Sequence, residues 1–381
     1  MPQRATKRGA ARVPFVLGAD ADVLICGASF AGLTVARELR ATGARVLVLD
    51  RYEIGERQTS ACAAPTEWLR NLGLGASIRQ TFDSLLVHTP NVAKARWALP
   101  FSFSTFDYPQ LCGLLWDQSG DAEFETAKVS ARTGAVVSTD RGDVTAPLIV
   151  DALGWRRVLS RAEPGIQPPE ARLSRGLEVH PSGSGADLEL WLDPSYVRAG
   201  YSWSFPAGDE LRVGVGSFDP RDHVKDPTVR LASDLSVPAV RYQGNWIPHQ
   251  MRRPVEDSVF FAGDSAGHCL PTTAEGIRTA LYFGLACGRE LRAVIEGRQD
   301  RAAAMTRYAA FCDRHERAFR WLLRVQGLVS RVNPTPFMTP ALRAMSSPRF
   351  IAWSFGHYLR IAPPEFALEG GAEPAPLAAA A

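Results

Sequence analysis

The fold of this chain is decided by Asp22-Val-Leu-Ile-Cys-Gly-Ala-Ser-Phe-Ala-Gly32. Its apolar beginning predicts a short buried strand, and its glycines predict a sharp turn into a helix over residues 33–41, capped by Gly43. The apolar run 44–50 then predicts a second strand that ends in a carboxylate. This strand–helix–strand unit has the length that a pair of parallel strands needs.

The turn in this unit carries the pattern Gly27-x-Ser29-x-x-Gly32, in which serine replaces the second glycine of GxGxxG. The first glycine permits the tight turn, a small second residue lets the backbone approach a pyrophosphate, and the third lets helix and strand pack closely. The start of the helix offers free N–H groups to the phosphates. Asp50, 18 residues after Gly32, can accept hydrogen bonds from ribose hydroxyls. The pattern predicts a dinucleotide site, for either NAD or FAD, rather than a glycine turn in an unrelated unit. Our candidate contacts here also include Ala28, Ala31 and Arg51.

A second stretch, far along the chain, favours FAD. An apolar strand ends at Gly263-Asp264, and Gly276 opens a helix predicted to run to about Leu291. A flavin carries ribityl hydroxyls, for which Asp264 is a suitable acceptor. The helix start at Gly276 and Ile277 can direct N–H groups at the N1–C2=O edge of the flavin, where reduction develops negative charge. An NAD dehydrogenase needs no such element.

These motifs, with Asp151-Ala-Leu-Gly154 between them, resemble flavoproteins of the p-hydroxybenzoate hydroxylase fold, in the same order along residues 22–290. The resemblance implies an α/β fold with a Rossmann-type FAD-binding domain. It implies that the first motif holds the ADP half of FAD, that the segment ending at Gly154 lies near the adenosine and diphosphate, and that Gly263-Asp264 contacts the ribityl chain. Val129 completes our candidate cofactor contacts.

The segment Tyr201-Ser-Trp-Ser-Phe-Pro206 places three aromatic side chains on one face of a strand. A turn and the run 211–216 then predict a hairpin with an aromatic wall. The wall suits an apolar or planar substrate or the flavin ring, although a core face of a sheet is an equal alternative. We take Tyr201 and Trp203 as candidate catalytic-site residues.

The same segment resembles the YxWxFP element of geranylgeranyl reductases. In those enzymes a cysteine in the region matching Cys62 lies near the flavin face, which makes Cys62 a candidate active-site thiol as well as a cofactor contact; a small buried residue is the alternative. Arg57 is a candidate contact to the diphosphate or to an incoming nicotinamide, or an ordinary surface arginine. The related WxWxIP element of flavin-dependent halogenases fits less well, because Tyr201 and Phe205 replace two of its residues.

One segment departs from the flavoprotein pattern. Where the superfamily often has an arginine, in a pattern such as DRxxFD, this chain has Ser104-Thr-Phe-Asp-Tyr-Pro-Gln-Leu111. The flavin pocket or the route of the reductant is therefore expected to differ from that of the reductases.

The organisation we predict is a discontinuous FAD-binding domain, an interleaved α+β substrate domain and a helical C-terminal region. Within the last, Trp321, Leu322, Val325 and Leu328 have helical spacing and are expected to pack as core. The predicted boundaries are 1–20 for a disordered leader, 21–90, 127–165 and 255–300 for the FAD-binding domain, 91–126 and 166–254 for the substrate domain, 301–365 for the helical region and 366–381 for a disordered tail.

Composition narrows the function classes. The formal charge of +3, without basic runs interleaved with aromatics, argues against nucleic acid. Six scattered cysteines and seven histidines, without a cluster, argue against a metal site and favour a reducing compartment. No run of 18 apolar residues occurs, so an integral membrane segment is not expected, although peripheral membrane contact fits a lipid substrate. We expect a cytoplasmic protein.

Three functions are consistent with these residues. The preferred one is a FAD-dependent reductase that transfers hydride from reduced flavin to an alkene of an apolar, isoprenoid or lipid-like substrate. The second is a single-component monooxygenase that hydroxylates or epoxidises an aromatic or polyene substrate, and the third is a flavin-binding protein without catalysis. Because a second dinucleotide unit is missing, electrons are expected from transiently docked NAD(P)H or from reduced ferredoxin, a carrier protein.

Overall fold

Three β-sheets and a set of helices form the part of the chain that the computed structural model describes, namely residues 19–58, 61–90, 92–161, 173–331 and 344–368. The strands, in chain order, are β1 (Ala19–Asp20), β2 (Val23–Cys26), β3 (Val46–Asp50), β4 (Ala63–Pro65), β5 (Ile78–Thr89), β6 (Val92–Phe106), β7 (Glu123–Thr126), β8 (Val129–Thr133), β9 (Val136–Thr139), β10 (Gly142–Thr145), β11 (Leu148–Asp151), β12 (Leu173–Val179), β13 (Leu188–Trp191), β14 (Gly200–Pro206), β15 (Leu211–Ser217), β16 (Gln243–Pro248), β17 (Val255–Glu256) and β18 (Val259–Phe261). The helices are α1 (Phe30–Glu38), α2 (Thr66–Asn71), α3 (Tyr108–Asp117), α4 (Lys225–Asp234), α5 (Ile277–Ile295), α6 (Arg301–Arg331) and α7 (Pro348–Ile361), with 3-10 turns at Gly75–Ser77, Gly263–Ala266 and Pro364–Ala367.

The first sheet brings the predicted nucleotide motifs together. Its order is β17-β18-β11-β2-β3-β7, and all neighbours except β17 and β18 are parallel. The central strands are continuous apolar runs because both faces of a parallel sheet are covered. The ladder continues past the strand ends, where Ala152 N donates to Cys26 O (2.7 Å) and Ala262 N donates to Asp151 O (3.0 Å). The three segments that follow these strands therefore leave the same edge of the sheet, as the Rossmann-type prediction requires.

Helix α1 has the predicted length but begins and ends three residues earlier than predicted. It starts at Phe30, directly after the turn, and ends at Glu38 instead of continuing to residue 41. Ala41 already has a positive φ of 58°, and the hydroxyl of Thr42 donates to the carbonyl of Leu39 (2.7 Å). The chain therefore leaves the helix before Gly43, and the predicted glycine cap is wrong.

An eight-stranded sheet lies beside the first, in the order β16-β12-β15-β14-β13-β5-β6-β4. It contains the predicted hairpin, since β14 and β15 pair antiparallel from Gly200 and Ser217 down to the turn. Its strand membership differs from the predicted boundaries at residues 90 and 126. β5 stays with its antiparallel neighbour β6, whereas β7 pairs with β3 in the first sheet. The division into two domains remains a prediction.

The third sheet, β1-β10-β9-β8, has four strands. Residues Ala19 and Asp20, predicted as part of a disordered leader, form β1 and pair in parallel with β10. The leader prediction is therefore wrong at these two residues, because the open edge of β10 accepts a partner; residues 1–18 lie outside the described part.

The C-terminal region is helical, as predicted, but two predictions about it are wrong. Trp321 and Leu328 on α6 are exposed instead of packing as core, because this face of the helix has no protein layer over it among the described residues. Phe366, assigned to a disordered tail, is buried with its ring centroid 4.5 Å from that of Tyr282. The chain is held there because Trp68 Nε1 donates to the carbonyl of Ala362 (2.9 Å). Residues 369–381 lie outside the described part.

No helix among the described residues has both the length and the apolar character needed to span a bilayer. The cytoplasmic location remains a prediction.

Candidate cofactor and substrate site

The turn after β2 has the shape that a dinucleotide site requires. Gly27 has a φ of +114°, and a Cβ there would overlap the carbonyl oxygen of Ala152. A Cβ on Gly32 would in turn overlap the carbonyl oxygen of Gly27. Both glycines are therefore required by close backbone approach, one for the turn and one for packing of the helix on it. Ser29 is the N-cap residue of α1, so the N–H groups of the first helical turn, which the helix itself does not use, are available to a ligand.

Asp50 closes this turn from the next strand. One carboxylate oxygen accepts from Ala28 N (2.8 Å) and the other from Tyr52 N (3.0 Å). Burial raises the pKa of Asp50, although the two amides oppose this shift. Each oxygen keeps a second lone pair, so the carboxylate can both fix the turn and accept a ribose hydroxyl.

The motif Asp151-Ala-Leu-Gly154 holds the loop that contains Asp264 at this edge of the first sheet. Asp151 Oδ1 accepts from Ser265 Oγ (2.7 Å) and from Leu153 N (3.0 Å). A guanidinium nitrogen of Arg157 donates to the carbonyl of Ser265 (2.9 Å), and the group lies 3.5 Å from the ring centroid of Phe261. Buried Asp151 is therefore a scaffold residue for the loop rather than a cofactor ligand. The position next in the motif, Gly154, has a φ of +84° and open space where a Cβ would stand.

Asp264 lies where the two halves of the site meet. Its neighbour Gly263 is so near α1 that an added Cβ would stand 2.9 Å from the Cβ of Ala31. On its other side, Gly276 stands at the start of α5, where an added Cβ would be 3.6 Å from Oδ1 of Asp264. Burial raises the pKa of Asp264 to about 7. Within the described part of the chain its carboxylate has no hydrogen-bond donor.

These observations match what FAD would need. Asp264, a half-buried carboxylate without a donor, suits the ribityl hydroxyls, and the open space at Gly154 admits the diphosphate region. The helix starts behind Ser29 and Gly276 can each place N–H groups on a negative part of the cofactor. The residues present therefore fit FAD, with its ADP half on the first turn and its flavin half toward Gly276.

Three other predicted contacts are placed differently. Arg51 and Arg57 are both exposed at the end of β3, where their guanidinium carbons lie 4.7 and 5.2 Å from the ring centroid of Tyr52. They flank the turn, and a contact to the diphosphate remains a prediction for both. The side chain of Val129 packs in a core cluster with Leu49. Only the backbone of Val129 can therefore contact a cofactor.

A cavity of about 1360 Å³ joins the flavin side of this site to the eight-stranded sheet. Tyr201, Trp203 and Phe205 line it together, so the predicted aromatic wall faces a cavity and not a closed core. Its other wall includes the loop 272–276 and Ile277, which follow Asp264. The hydroxyl of Tyr201 donates to the carbonyl of Thr273, which ties the wall to the loop.

The aromatic wall is seated on glycines. A Cβ on Gly214 would overlap the indole ring of Trp203, so the Gly214-x-Gly216 pair provides the space in which this ring lies on β15. The glycine pair is thus explained by packing. The indole Nε1 donates to Oε2 of Glu178 (3.3 Å), a buried carboxylate that also lines the cavity.

Cys62 lines the same cavity and is fully buried. Its carbonyl accepts from the guanidinium of Arg212 (3.0 Å) and from Phe106 N (3.0 Å), which together hold its backbone at a φ of +52°. Burial, which outweighs the charge of Arg212, raises the pKa of the Cys62 thiol well above its usual range. The side chain is therefore a neutral thiol at physiological pH, and its part in the reaction remains a proposal.

Sequence reasoning missed two groups at this site. Tyr108 shares a hydrogen bond with Ser29 (3.0 Å between oxygens) and so supports the first turn from α3. It lies in the segment that departs from the superfamily pattern, and Asp107 before it caps α3 by accepting from Gln110 N (2.9 Å). An Asp followed by a Pro at the second helical position is a recognisable helix start. The second group is Glu178, the hydrogen-bond partner of Trp203, and no motif surrounds Glu178 in the sequence.

Among the residues that the structure describes, no cluster of three or more His, Cys, Asp or Glu side chains is arranged to hold a metal ion.

Comparison with known proteins agrees with this geometry. Residues 20–131 match the FAD binding domain family. Digeranylgeranylglycerophospholipid reductase 3 of Methanosphaera stadtmanae is 26% identical over 338 residues, which cover 78% of this chain and 83% of that protein. Chloroplastic geranylgeranyl diphosphate reductase of Nicotiana tabacum is 30% identical over 115 residues, which cover 29% of this chain and 24% of that enzyme.

Solved structures show the same fold. A geranylgeranyl bacteriochlorophyll reductase-like protein of Thermoplasma acidophilum superposes with a TM-score of 0.70 at 17% identity, covering 89% of this chain and 99% of that one. OxyS anhydrotetracycline hydroxylase of Streptomyces rimosus superposes with a TM-score of 0.63 at 19% identity, covering 88% of this chain and 75% of that one.

Fold, site and matches together define a FAD-dependent oxidoreductase of the p-hydroxybenzoate hydroxylase fold. Within that class the protein is geranylgeranyl reductase-like. The predicted fold class and the prediction of an enzyme are thereby confirmed, and the FAD-binding domain supports FAD as the cofactor.

Proposed function

We propose that this protein saturates a carbon–carbon double bond in an apolar, isoprenoid or lipid-like substrate. The observation that carries the proposal is the cavity of about 1360 Å³, which extends from the loop at Gly276 to the aromatic wall. Ligand pockets for small molecules are usually about 300–1,000 Å³, so this cavity is large enough for a long chain in addition to the flavin ring. Its walls are mostly apolar, with leucines of β5 and β13 beside the aromatic residues.

In this proposal the bound FAD supplies the hydride. The residues of the chain hold the cofactor, orient the substrate and exclude water. Trp203 and its neighbours on β14 confine the alkene on the side of the cavity opposite Gly276, and backbone N–H groups at the start of α5 stabilise negative charge on the reduced ring. Cys62 also lines this cavity, and its neutral thiol contributes a compact and weakly polar surface. The names of the reductase relatives support the substrate class, since they describe enzymes of geranylgeranyl groups.

The source of electrons is part of the proposal. The structure has one dinucleotide turn among its described residues, at Gly27–Gly32, and FAD would occupy it. We propose that the reductant docks only transiently, as NAD(P)H or as reduced ferredoxin, near the exposed arginines Arg51 and Arg57. Anaerobic reduction of the holoenzyme by NADH, NADPH and reduced ferredoxin, followed by visible absorbance, identifies the donor.

The test of the function is a single turnover. Holoenzyme is reduced anaerobically with dithionite and mixed with a geranylgeranyl-bearing glycerolipid. The expected result is reoxidation of the flavin together with a product that is two mass units heavier per turnover. If instead the product gains oxygen, and only when O₂ is present, the protein is a monooxygenase and the reductase proposal is wrong.

We further propose that the mouth of the cavity contacts a membrane surface. Trp321 and Trp353 line the cavity yet are 57% and 54% exposed, which places them at its mouth, and the ring of Phe350, also exposed, lies 5.7 Å from that of Trp353. Arginines line the same region (Arg314, Arg317 and Arg360). Aromatic residues beside arginines suit the boundary between acyl chains and anionic headgroups.

The double variant Trp321→Ser/Trp353→Ser is expected to bind vesicles of phosphatidylglycerol at least about tenfold more weakly, because burying one such side chain is worth about 1.5–3 kcal/mol. Co-sedimentation measures the change. Val229→Ser is the control, since Val229 is an exposed apolar residue on α4, which packs on the opposite face of the sheet from the cavity. Equal binding by the double variant and the wild type would contradict the proposed contact.

A further inference from the structure

A chain of three buried or half-buried ionisable groups runs from β12, beside the aromatic wall, to the residue before β15. His180 lies between two carboxylates: its Nε2 is 2.8 Å from Oε1 of Glu178, and its Nδ1 is 3.2 Å from Oε1 of Glu210. His180 and Glu178 are almost completely buried, at 2% and 3% exposure. Such a chain is costly to bury, so its presence calls for a reason beyond packing.

The two ends of this chain open to different places. Glu178 lines the substrate cavity and accepts from Trp203 at the aromatic wall. Glu210 has a side chain that is 23% exposed, and it lines a separate surface cleft of about 110 Å³ together with Arg79 and Arg241. His180 is therefore the link between this surface cleft and the substrate cavity.

The charges keep a proton on the central ring. Burial alone would lower the pKa of His180, but hydrogen bonds to Glu178 and Glu210 outweigh it and raise this pKa to about 9. Burial would likewise raise the pKa of Glu210, but His180, Arg212 and Arg241 together lower it to about 2. At rest the imidazolium of His180 is therefore held between the side chains of Glu178 and Glu210.

Alkene saturation needs a source of protons inside the cavity. Hydride adds to one carbon of the double bond, and the other carbon must receive a proton inside a cavity from which water is excluded. We propose that Glu178, His180 and Glu210 form a proton relay from the outer cleft to the substrate, with Glu178 as the group that protonates the alkene. This inference rests on the proposed reductase function.

His180 first passes its proton to Glu178, 2.8 Å away. The π bond then breaks, one carbon takes this proton from Glu178, and the other takes the hydride that the reduced cofactor would supply as it loses two electrons. His180 is then reprotonated from the cleft past Glu210. The electrons are restored by the nicotinamide or ferredoxin donor of the proposed function.

Cys62 is the other proton-bearing group at this end of the cavity. Cys62 and Glu178 both line the cavity, and burial, with a smaller contribution from the charge of Glu178, raises the pKa of this thiol. A thiol proton held so firmly is a poor acid, whereas the Glu178 carboxyl draws on an imidazolium that solvent can reload. The relay therefore assigns the proton to Glu178 and leaves Cys62 as a wall residue.

The test uses holoenzyme reduced by dithionite and mixed anaerobically with the geranylgeranyl-bearing glycerolipid. Glu178→Gln is expected to slow the substrate-dependent reoxidation of flavin by at least about 100-fold, the usual scale of general acid catalysis. FAD content and reduction by dithionite should stay at wild-type values. The wild-type rate should fall above about pH 9, where His180 loses its proton, and His180→Gln should remove that break.

Glu189→Gln is the matched control, because Glu189 pairs with His88 at 2.5 Å in the same sheet but does not line the cavity. It should reoxidise at the wild-type rate. If Glu178→Gln and His180→Gln reoxidise at that rate while the wild type saturates the lipid, the relay is wrong and the proposed function stands. If the wild type leaves the lipid unsaturated, the proposed function is wrong and the relay is overturned with it.

Discussion

Gly27→Ala is expected to abolish FAD binding and to lower the free energy of unfolding by about 3 kcal/mol or more. The new Cβ would meet two costs at once: a backbone with φ +114°, which side chains rarely adopt, and overlap with the carbonyl of Ala152. Either cost alone is of order 1–3 kcal/mol. Relief of the overlap would separate β2 from β11 at the edge to which we assign the phosphates. Urea unfolding and the flavin absorbance of the purified protein measure both effects.

Gly43→Ala is the control for this change. Gly43 also has a positive φ, of +73°, but nothing lies within 4 Å of the position of its Cβ. The variant should lose only about 1 kcal/mol of stability and keep its FAD. Retention of FAD by Gly27→Ala at the wild-type level would show that the close turn is not the phosphate site.

Asp264→Asn is expected to weaken FAD binding by at least about tenfold. The carboxylate is the acceptor that we assign to the ribityl hydroxyls, and hydrogen bonds to a charged group are worth about 1.5–3 kcal/mol. The same change should stabilise the FAD-free protein at pH 8 by about 1 kcal/mol or more, because burial disfavours the charged form of this side chain.

The stability of the apoprotein is expected to depend on pH through Asp264. The pKa of Asp264 is raised to about 7 from the ordinary value of 3.8, so the folded apoprotein retains a proton that the unfolded chain has already lost. The contribution of this group to stability is therefore present below about pH 4 and is lost as the pH rises to about 7. Thermal unfolding of the apoprotein should show wild type and Asp264→Asn alike at pH 4 and separated at pH 8. Parallel curves at all pH values would contradict the assignment.

Much of the cofactor site could be predicted from sequence because its requirements are local. A tight turn at Gly27, a small residue at Ser29 and an acid that ends the next strand each follow from one contact with the backbone or with a ribose. The loop at Asp264 is equally local, since an apolar strand, Gly-Asp and a helix start occur within twenty residues. Parallel pairing of β2, β11 and β18 then brings the loops together.

The parts that could not be predicted depend on what an element meets in three dimensions. Helical spacing of Trp321 and Leu328 indicates an apolar face. It does not show whether that face packs against the rest of the protein or is exposed to the surroundings. The early end of α1 depends on a single hydrogen bond from Thr42. The contact of His180 with Glu210 joins residues 30 positions apart, and neither has a motif around it.

Titration of the apoprotein with FAD, with ADP and with FMN tests the central claim most directly, namely that two distant segments hold opposite ends of one FAD molecule. Asp264→Ala should weaken FAD and FMN by about tenfold and leave ADP unchanged, whereas Asp50→Ala should weaken FAD and ADP and leave FMN unchanged. If each variant weakened both fragments equally, or if Asp264→Ala weakened ADP alone, the two segments would not divide the cofactor between them and the account would be wrong.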